Sequence, residues 1–404
     1  MAFASGAFKK LAINEEVTFG TLVAAGGIYL DRIESTVDLT KDAYRSAAIR
    51  TDQQKTISRH GMQKVGGPIR GELNPGAYSR FMQALLRRDF ATGATTGAQT
   101  TISADNTTHT FNRSAGSFLT NGFKVGRVVQ ASGFVASGNN TRRFLVTSVT
   151  ATVMGLLNLD GSTATLTTEA AGATVTITEV GKTTYVPSSG HTDKSFSIES
   201  FYSDINQSEA LVGCKPTSMD ITVPTTGLDT VEFSVLGQKL LRNTSAQLTT
   251  PSAAIGGNGL ASANGVILIQ GASIGIINSL SMKIDGQHAV DGVVGSNFTP
   301  FVWPGPIVGT GNFTAFFQDA VMRDYFADET EVAITLLLTA SNVAAPEFLA
   351  FTASRVKVNG FTKDDKETGG IKGSGTLEFL RNTAGGSGTS SDDSTFTVQD
   401  SLAP

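Results

Sequence analysis

Ser218-Met219-Asp220-Ile221-Thr222-Val223 and, just downstream, Val231-Glu232-Phe233-Ser234-Val235 decide the fold class. In both stretches apolar side chains take every second position and polar ones fill the gaps. That period buries one face of an extended strand and leaves the other to solvent or a partner. The alternation recurs at Leu280, Met282 and Ile284, at Val332, Ile334, Leu336 and Leu338, and at Val175 and Ile177. Gly, Asn, Asp and Pro clusters separate the runs, as turns between strands do. The sequence predicts a mainly β, mostly antiparallel protein.

One helix interrupts the strands. Asn74-Pro75 reads as N-cap and first helical residue. Tyr78, Phe81, Met82, Leu85 and Leu86 then form one apolar stripe, which predicts a helix over 75–89. Arg87 and Arg88 suit its C-terminal end. A weaker helical pattern covers Asp319–Phe326.

Composition shifts divide the chain. The run Ala91-Thr92-Gly93-Ala94-Thr95-Thr96-Gly97 has linker composition. A Thr/Val/Gly-rich segment follows, with candidate strands Arg127–Phe134, Arg143–Val149, Val153–Leu159 and Ala173–Val180. The expected organisation is a β domain in two parts, 1–98 and 186–382, around an inserted small β-barrel at 99–185. The low-complexity segment 383–404 is expected to be flexible, although Phe396-Thr397-Val398 within it has the pattern of a pairing strand.

Charged residues make up only 16% of the 404 residues and the net charge is −4, which excludes a strongly basic nucleic-acid binder. The charge is unevenly spread. Residues 45–88 carry nine Lys/Arg against two acids, and residues 301–404 carry seven against thirteen. Such a split suits either neutralisation within one subunit or head-to-tail contact between subunits. No stretch reads as a membrane span.

The search for chemistry finds no catalytic, cofactor-binding or metal-binding set. Cys214 has no His near it in sequence and reads as a buried inert thiol. His60, His109, His191 and His288 lack metal-ligand spacing. Asp364-Asp365-Lys366-Glu367 reads as an exposed hairpin turn. Gly256-Gly257-Asn258-Gly259 lacks the Lys-Ser/Thr of a phosphate loop. Trp303 reads as a loop anchor. No enzyme is expected, and no cofactor.

The segment Gln54-Lys55-Thr56-Ile57-Ser58-Arg59-His60-Gly61-Met62-Gln63-Lys64-Val65-Gly66-Gly67-Pro68-Ile69-Arg70-Gly71-Glu72-Leu73, running into Asn74-Pro75-Gly76-Ala77-Tyr78 and the helix, resembles the N-terminal block of the tail tube proteins of long-tailed, siphovirus-type bacteriophages. Phe196-Ser197-Ile198-Glu199 with Gly213-Cys214-Lys215-Pro216 and the alternating strand after it is similar to that family's second block. Val356–Phe361 and Gly375–Phe379 suit its terminal strands, and the inserted segment looks like the small barrel often found between the blocks. The resemblance implies an antiparallel β-sandwich in a major tail tube subunit of a non-contractile tail. It implies hexameric rings stacked into a hollow conduit for genomic DNA. The implied partners are other copies of the chain, a tape measure protein, tail terminator and distal tail proteins, and passing double-stranded DNA without sequence-specific binding. No membrane partner is implied, and the location is the virion tail.

On this resemblance Arg87, Arg88, Asp364 and Asp365 are candidates for contact between rings. Reversing both arginines to Glu is then expected to weaken tube growth but not folding. A long loop and the chain termini would bridge rings. Because each Lys/Arg–phosphate contact adds to DNA affinity, the lumen is expected to be neutral or acidic. Gly71–Glu72 and the Val332–Leu338 strand are candidates to line it. Other virion proteins (decoration or fibre), a carbohydrate-binding adhesin using Trp303 and Tyr325, and a β-rich hydrolase are the competing readings.

Overall fold

The computed structural model describes residues 3–255, 258–365 and 368–404. The Gly256-Gly257 pair and the second half of the Asp364–Glu367 turn lie outside them. The architecture is mainly β. One extended antiparallel ladder runs from the strand Asp38–Arg45 through Ser58–Glu72, Thr230–Gly237, Gln207–Val223, Ile277–Asp285, Val308–Phe316, Lys372–Phe379, Phe348–Lys363 and Glu331–Thr339 to Gly265–Ile269. Two long strands belong to more than one layer. The first half of Gln207–Val223 leaves the ladder to pair with Phe196–Tyr202 and Lys239–Asn243. The first half of Phe348–Lys363 pairs with Thr397–Asp400.

Every alternating run named above buries its apolar face. Met219, Ile221, Val223, Val231, Phe233, Val235, Leu280, Met282 and Ile284 share one core, and Val175 and Ile177 lie in a second. The strand Glu331–Thr339 is buried on both faces. Val332, Ile334, Leu336 and Leu338 point into the main core, while Leu337 belongs to a third cluster with Val128, Leu145, Val266 and Phe348. Both faces of this candidate lumen strand are therefore covered within the chain.

The helix is shorter than its stripe predicts and spans Ser79–Leu86. Gly76 has φ +80°, a left-handed conformation that no first helical turn tolerates, so Asn74-Pro75 forms a turn instead of a cap. Arg87, at φ 61°, ends the helix in the left-handed region. The turn before the helix is held from far along the chain. The buried Asp400 carboxylate accepts from the backbone N–H of Gly76 at 2.9 Å and from the Ser79 hydroxyl. The weaker helix forms at Val321–Ala327. Two further short helices, Phe118–Asn121 and Ser137–Thr141, carry no apolar periodicity that a sequence pattern would register.

Residues 102–179 build a separate six-stranded antiparallel sheet. Its order is Thr176–Glu179, Val128–Ser132, Arg143–Val149, Val153–Asn158, Thr110–Arg113 and Ile102–Asp105. The sheet curls as a half-barrel. Its outer strands meet other segments only through isolated bridges such as Thr95 to Thr178 and Ala104 to Glu169. It is firmly seated on the main body. Besides the third apolar cluster, the Gln399 side chain accepts from Val128 N at 2.7 Å and donates to the carbonyls of Val128 and Val180. Arg127 and Asp392 form a nearly buried ion pair at 2.5 Å.

The C-terminal segment differs from its composition. Residues 394–400 are all buried, and Phe396 stacks on Phe351 and Phe379. Its Ser- and Gly-rich part, 383–393, reads as flexible but packs against the half-barrel, where Ser390 O accepts from Val125 N at 2.9 Å.

Candidate functional site

The register of the long ladder gives the body two distinct ends. Val65 pairs with Gly237 and Glu72 with Thr230; Asp285 pairs with Val308, Ile277 with Ala315, and Phe316 with Lys372. One end therefore carries Val65, Gly237, Asp285 and Val308. The opposite end carries Glu72, Thr230, Ile277 and Phe316.

From the first end the strands Asp38–Arg45 and Ser58–Glu72 continue past the rest of the ladder as a β-hairpin arm. Between Thr40 and His60 only Ser46 is not exposed. Tyr44 (59%), Ile57 (57%) and the fully exposed Ile49 give the arm apolar side chains with no cover from this chain. Tyr44 lies across Gly61, where an added Cβ would come within 2.7 Å of its ring. Lys41, Arg45, Lys55 and Arg59 make no ion pair among the described residues. Arg50 pairs with Asp52, and Lys64 with Asp42. The arm's base is buttressed by the loop after Asp285. Asn297 O accepts from Gln63 N at 2.6 Å, and Lys239 lies over the Phe298 ring.

Arg87 and Arg88, candidates for contact between rings, are occupied inside the chain. The Arg87 guanidinium donates to the carbonyls of Gly286 (3.2 Å) and Gly305 (2.6 Å), closing the base of the buttress loop. Burial lowers its pKa. Arg88 stacks on Tyr185, 3.7 Å from the ring centre. Both are half-buried, beside the left-handed turn at Arg87. The Arg87→Glu change would set a carboxylate against two carbonyls in a half-buried site. It is expected to lower monomer stability by roughly 2 kcal/mol, read as a lowered denaturation midpoint. An unchanged midpoint would return Arg87 to a purely external role.

A polar cluster lies beside Arg87. The Lys215 ammonium is buried, paired with both Asp193 oxygens at 2.7 Å and lying 3.7 Å over the Phe301 ring. Phe301 packs on Phe19, and the part-exposed Trp303 meets Phe301 edge-on. Burial, reinforced by the Arg87 and Lys215 charges, pushes His288 down to about 4. Burial also pushes the Cys214 thiol well up, and the thiol donates to the Leu211 carbonyl. Among the described residues no group of three or more His, Cys, Asp or Glu could hold a metal ion. No helix there is long and apolar enough to cross a membrane.

Asp364 and Asp365 lie at the opposite end, where strand Phe348–Lys363 gives way to the turn before Lys372. Asp364 accepts from Lys372 N at 2.6 Å, and Asp365 is exposed. The same end carries the helix Val321–Ala327 with exposed Asp319, Asp324, Asp328 and Glu329. Beside it lies a groove of about 290 Å³ lined by Val223, Pro224, Ile274, Ile276, Ile277 and Phe316. The arm and this groove escaped the sequence reading. Their only trace was the basic excess of 45–88 and the acidic excess of 301–404.

No curated protein matches the chain. The family model described as phage tail tube protein matches residues 6–399. That match spans both strand blocks, the helix, the half-barrel and the buried C-terminal strand, and by it the chain belongs to the phage tail tube protein family.

Proposed function

We propose that this chain, a structural component of the virion tail by its family, is the major tube subunit of a siphovirus-type, non-contractile tail, acting as a building block and not as a catalyst. Hexameric rings of the chain would stack into a hollow conduit that passes double-stranded DNA without sequence-specific binding. The tape measure protein would lie inside, with tail terminator and distal tail proteins at the two ends. Residues 99–185 would form an inserted domain within a body made of 1–98 and 186–382. Its seating on the main body suits a rigid projection from the tube.

The observation that carries this reading is the arm. The hairpin projects Ile49, Ile57 and Tyr44 with no cover from this chain, as an arm made to meet another copy would. Contact between rings would run through this arm and the turn at Asp364 and Asp365, with Arg87 positioning the arm's base. Replacing residues 46–57 with an Asn-Gly turn is expected to leave the thermal midpoint within about 2 °C, because every residue removed is exposed or nearly so. Negative-stain images of the concentrated wild-type protein are expected to show tubes, and the shortened protein none. Tubes of unchanged axial repeat from the shortened protein would overturn the arm's role.

A further inference from the structure

We infer that the cleft between the half-barrel and the main body is a binding site for a small phosphate monoester of the sugar- or polyol-phosphate class. The cleft has a volume of about 750 Å³. It lies where the half-barrel joins the rest of the chain. Ala91–Ala94 lead in, 183–190 lead out, and the C-terminal segment with Gly386 and Asp392 forms a further wall.

The charges of this wall are unbalanced. Asp392 is taken by Arg127, and Asp393 by Arg381. Arg88 and Lys124 form no ion pair among the described residues. Arg88 stacks on Tyr185, and the Lys124 ammonium spends two of its three protons on the carbonyls of Gly386 and Thr389. Glu179 is the remaining acid, and burial raises its pKa, which lessens its negative charge. An anion entering the cleft offsets the excess positive charge.

Unpartnered groups point to the same ligand. Arg88 Nη1 and Arg127 Nη1 are buried with no acceptor among the described residues, and Glu179 Oε1 with no donor. Arg127, Lys124 and Glu179 are each more than nine-tenths buried. Buried donors left unanswered are costly. Two guanidinium groups and an ammonium therefore favour an oxyanion with several oxygens, once the side chains turn toward it. A phosphate monoester presents three such oxygens and a carboxylate two. The phosphate leaves most of the volume free. Thr92, Asn121, Ser188, Ser189 and Ser387 line it, polar uncharged residues that suit the hydroxyls of a polyol.

The site does not depend on tube assembly, so the test uses the free full-length chain. It is titrated calorimetrically with inorganic phosphate, glycerol 3-phosphate and glucose 6-phosphate, against sodium chloride at equal ionic strength. The expected result is saturable one-to-one binding, with the esters tighter than inorganic phosphate. Equal affinities overturn the polyol part and keep the phosphate site. Arg88→Met keeps a side chain against Tyr185 but removes the charge, and is expected to weaken ester binding by about tenfold. Ser189→Trp, at an exposed position, is expected to fold with an unchanged thermal midpoint and to block the cleft. Heat no greater than that of chloride overturns the site, and so does binding that neither variant weakens.

Discussion

A chain that stops after Thr395 is expected to accumulate as insoluble protein, although it loses only residues whose neighbours read as a flexible tail. The truncation removes the strand Thr397–Asp400, which pairs on one side with Lys182–Tyr185 and on the other with Phe348–Lys363. It removes Phe396 from its place between Phe351 and Phe379. Loss of a buried Phe side chain alone costs about 3–5 kcal/mol. It also removes the Gln399 amide that joins the half-barrel to the body. The Asp400 carboxylate, which takes up the N–H groups of Gly76 and Leu402 and the Ser79 hydroxyl, goes too. The sum approaches or exceeds the roughly 5–15 kcal/mol by which domains are stable. The point variant Asp400→Ala separates the polar contribution. It leaves two buried donors, the Gly76 N–H and the Ser79 hydroxyl, unanswered at about 1–3 kcal/mol each, and the Leu402 N–H of an exposed residue at little cost, partly offset because burial already penalises the charged carboxylate and raises its pKa. A net loss on the order of 3 kcal/mol is expected. The soluble fraction of the truncated chain and the denaturant midpoint of Asp400→Ala are the readouts. A soluble truncated chain with an unchanged midpoint would show that the strand closes nothing.

These carboxylates mark where the sequence stops being legible. The strand faces were readable because burial of one face imposes a period that needs no knowledge of the partner. Met219, Ile221 and Val223 alternate whichever strand lies opposite. The helix core was readable for the same reason, but its start was not. The residue that holds the turn before it, Asp400, lies 324 positions from Gly76, and its burial depends on donors that only the fold assembles. Glu16 is a second case. It accepts from the Gly20 and Gly213 amides and from the Ser195 and Ser197 hydroxyls, so a Glu in a polar N-terminal stretch becomes a buried junction. The segment 383–395 hid its role because Ser and Gly pack as well as they flex once Lys124 and Arg127 of the half-barrel face them. The arm left a charge excess as its only trace. Its apolar residues stand apart, with Ile49 and Ile57 at no strand or helix spacing. The arginines beside the helix were legible as cations, but their contacts with Gly286, Gly305 and Tyr185 were not, since the left-handed turn at Arg87 leaves no sequence signature in a non-glycine residue.

Asp229→Asn is expected to be a stabilising change above neutral pH and nearly silent in acid. Asp229 is completely buried, and neither carboxylate oxygen has a hydrogen-bond partner among the described residues. Its backbone is held between Leu260 O and Leu73 N, each at 2.9 Å, so the side chain has no route to solvent without breaking the junction of two strands. Burial alone pushes its carboxyl up to about 7. The direction of the linkage follows. Below pH ~4 the group is protonated in both the folded and unfolded chain and exacts no penalty. As the pH rises the unfolded chain loses this proton first while the folded chain keeps it, so stability falls until the folded group ionises near neutrality, and it stays low above that. An interval of this size corresponds to roughly 4 kcal/mol lost between acid and neutral pH. The amide removes that loss but leaves its own polar atoms without partners, so a net gain on the order of 2 kcal/mol at pH 8 is expected. The measurement is the difference between wild-type and Asp229→Asn unfolding free energies at pH 4, 6 and 8, which cancels the titration of every other group. A difference that grows with pH in favour of the amide fits a buried, unanswered carboxylate. A flat difference, or wild type the more stable at pH 8, would mean that Asp229 is solvated or paired in solution. Because Asp229 precedes Thr230 at the end of the sheet that carries the groove, the same titration would loosen that end as the pH rises. Tube yield measured at pH 6 and pH 8 should then differ in wild type and converge in Asp229→Asn.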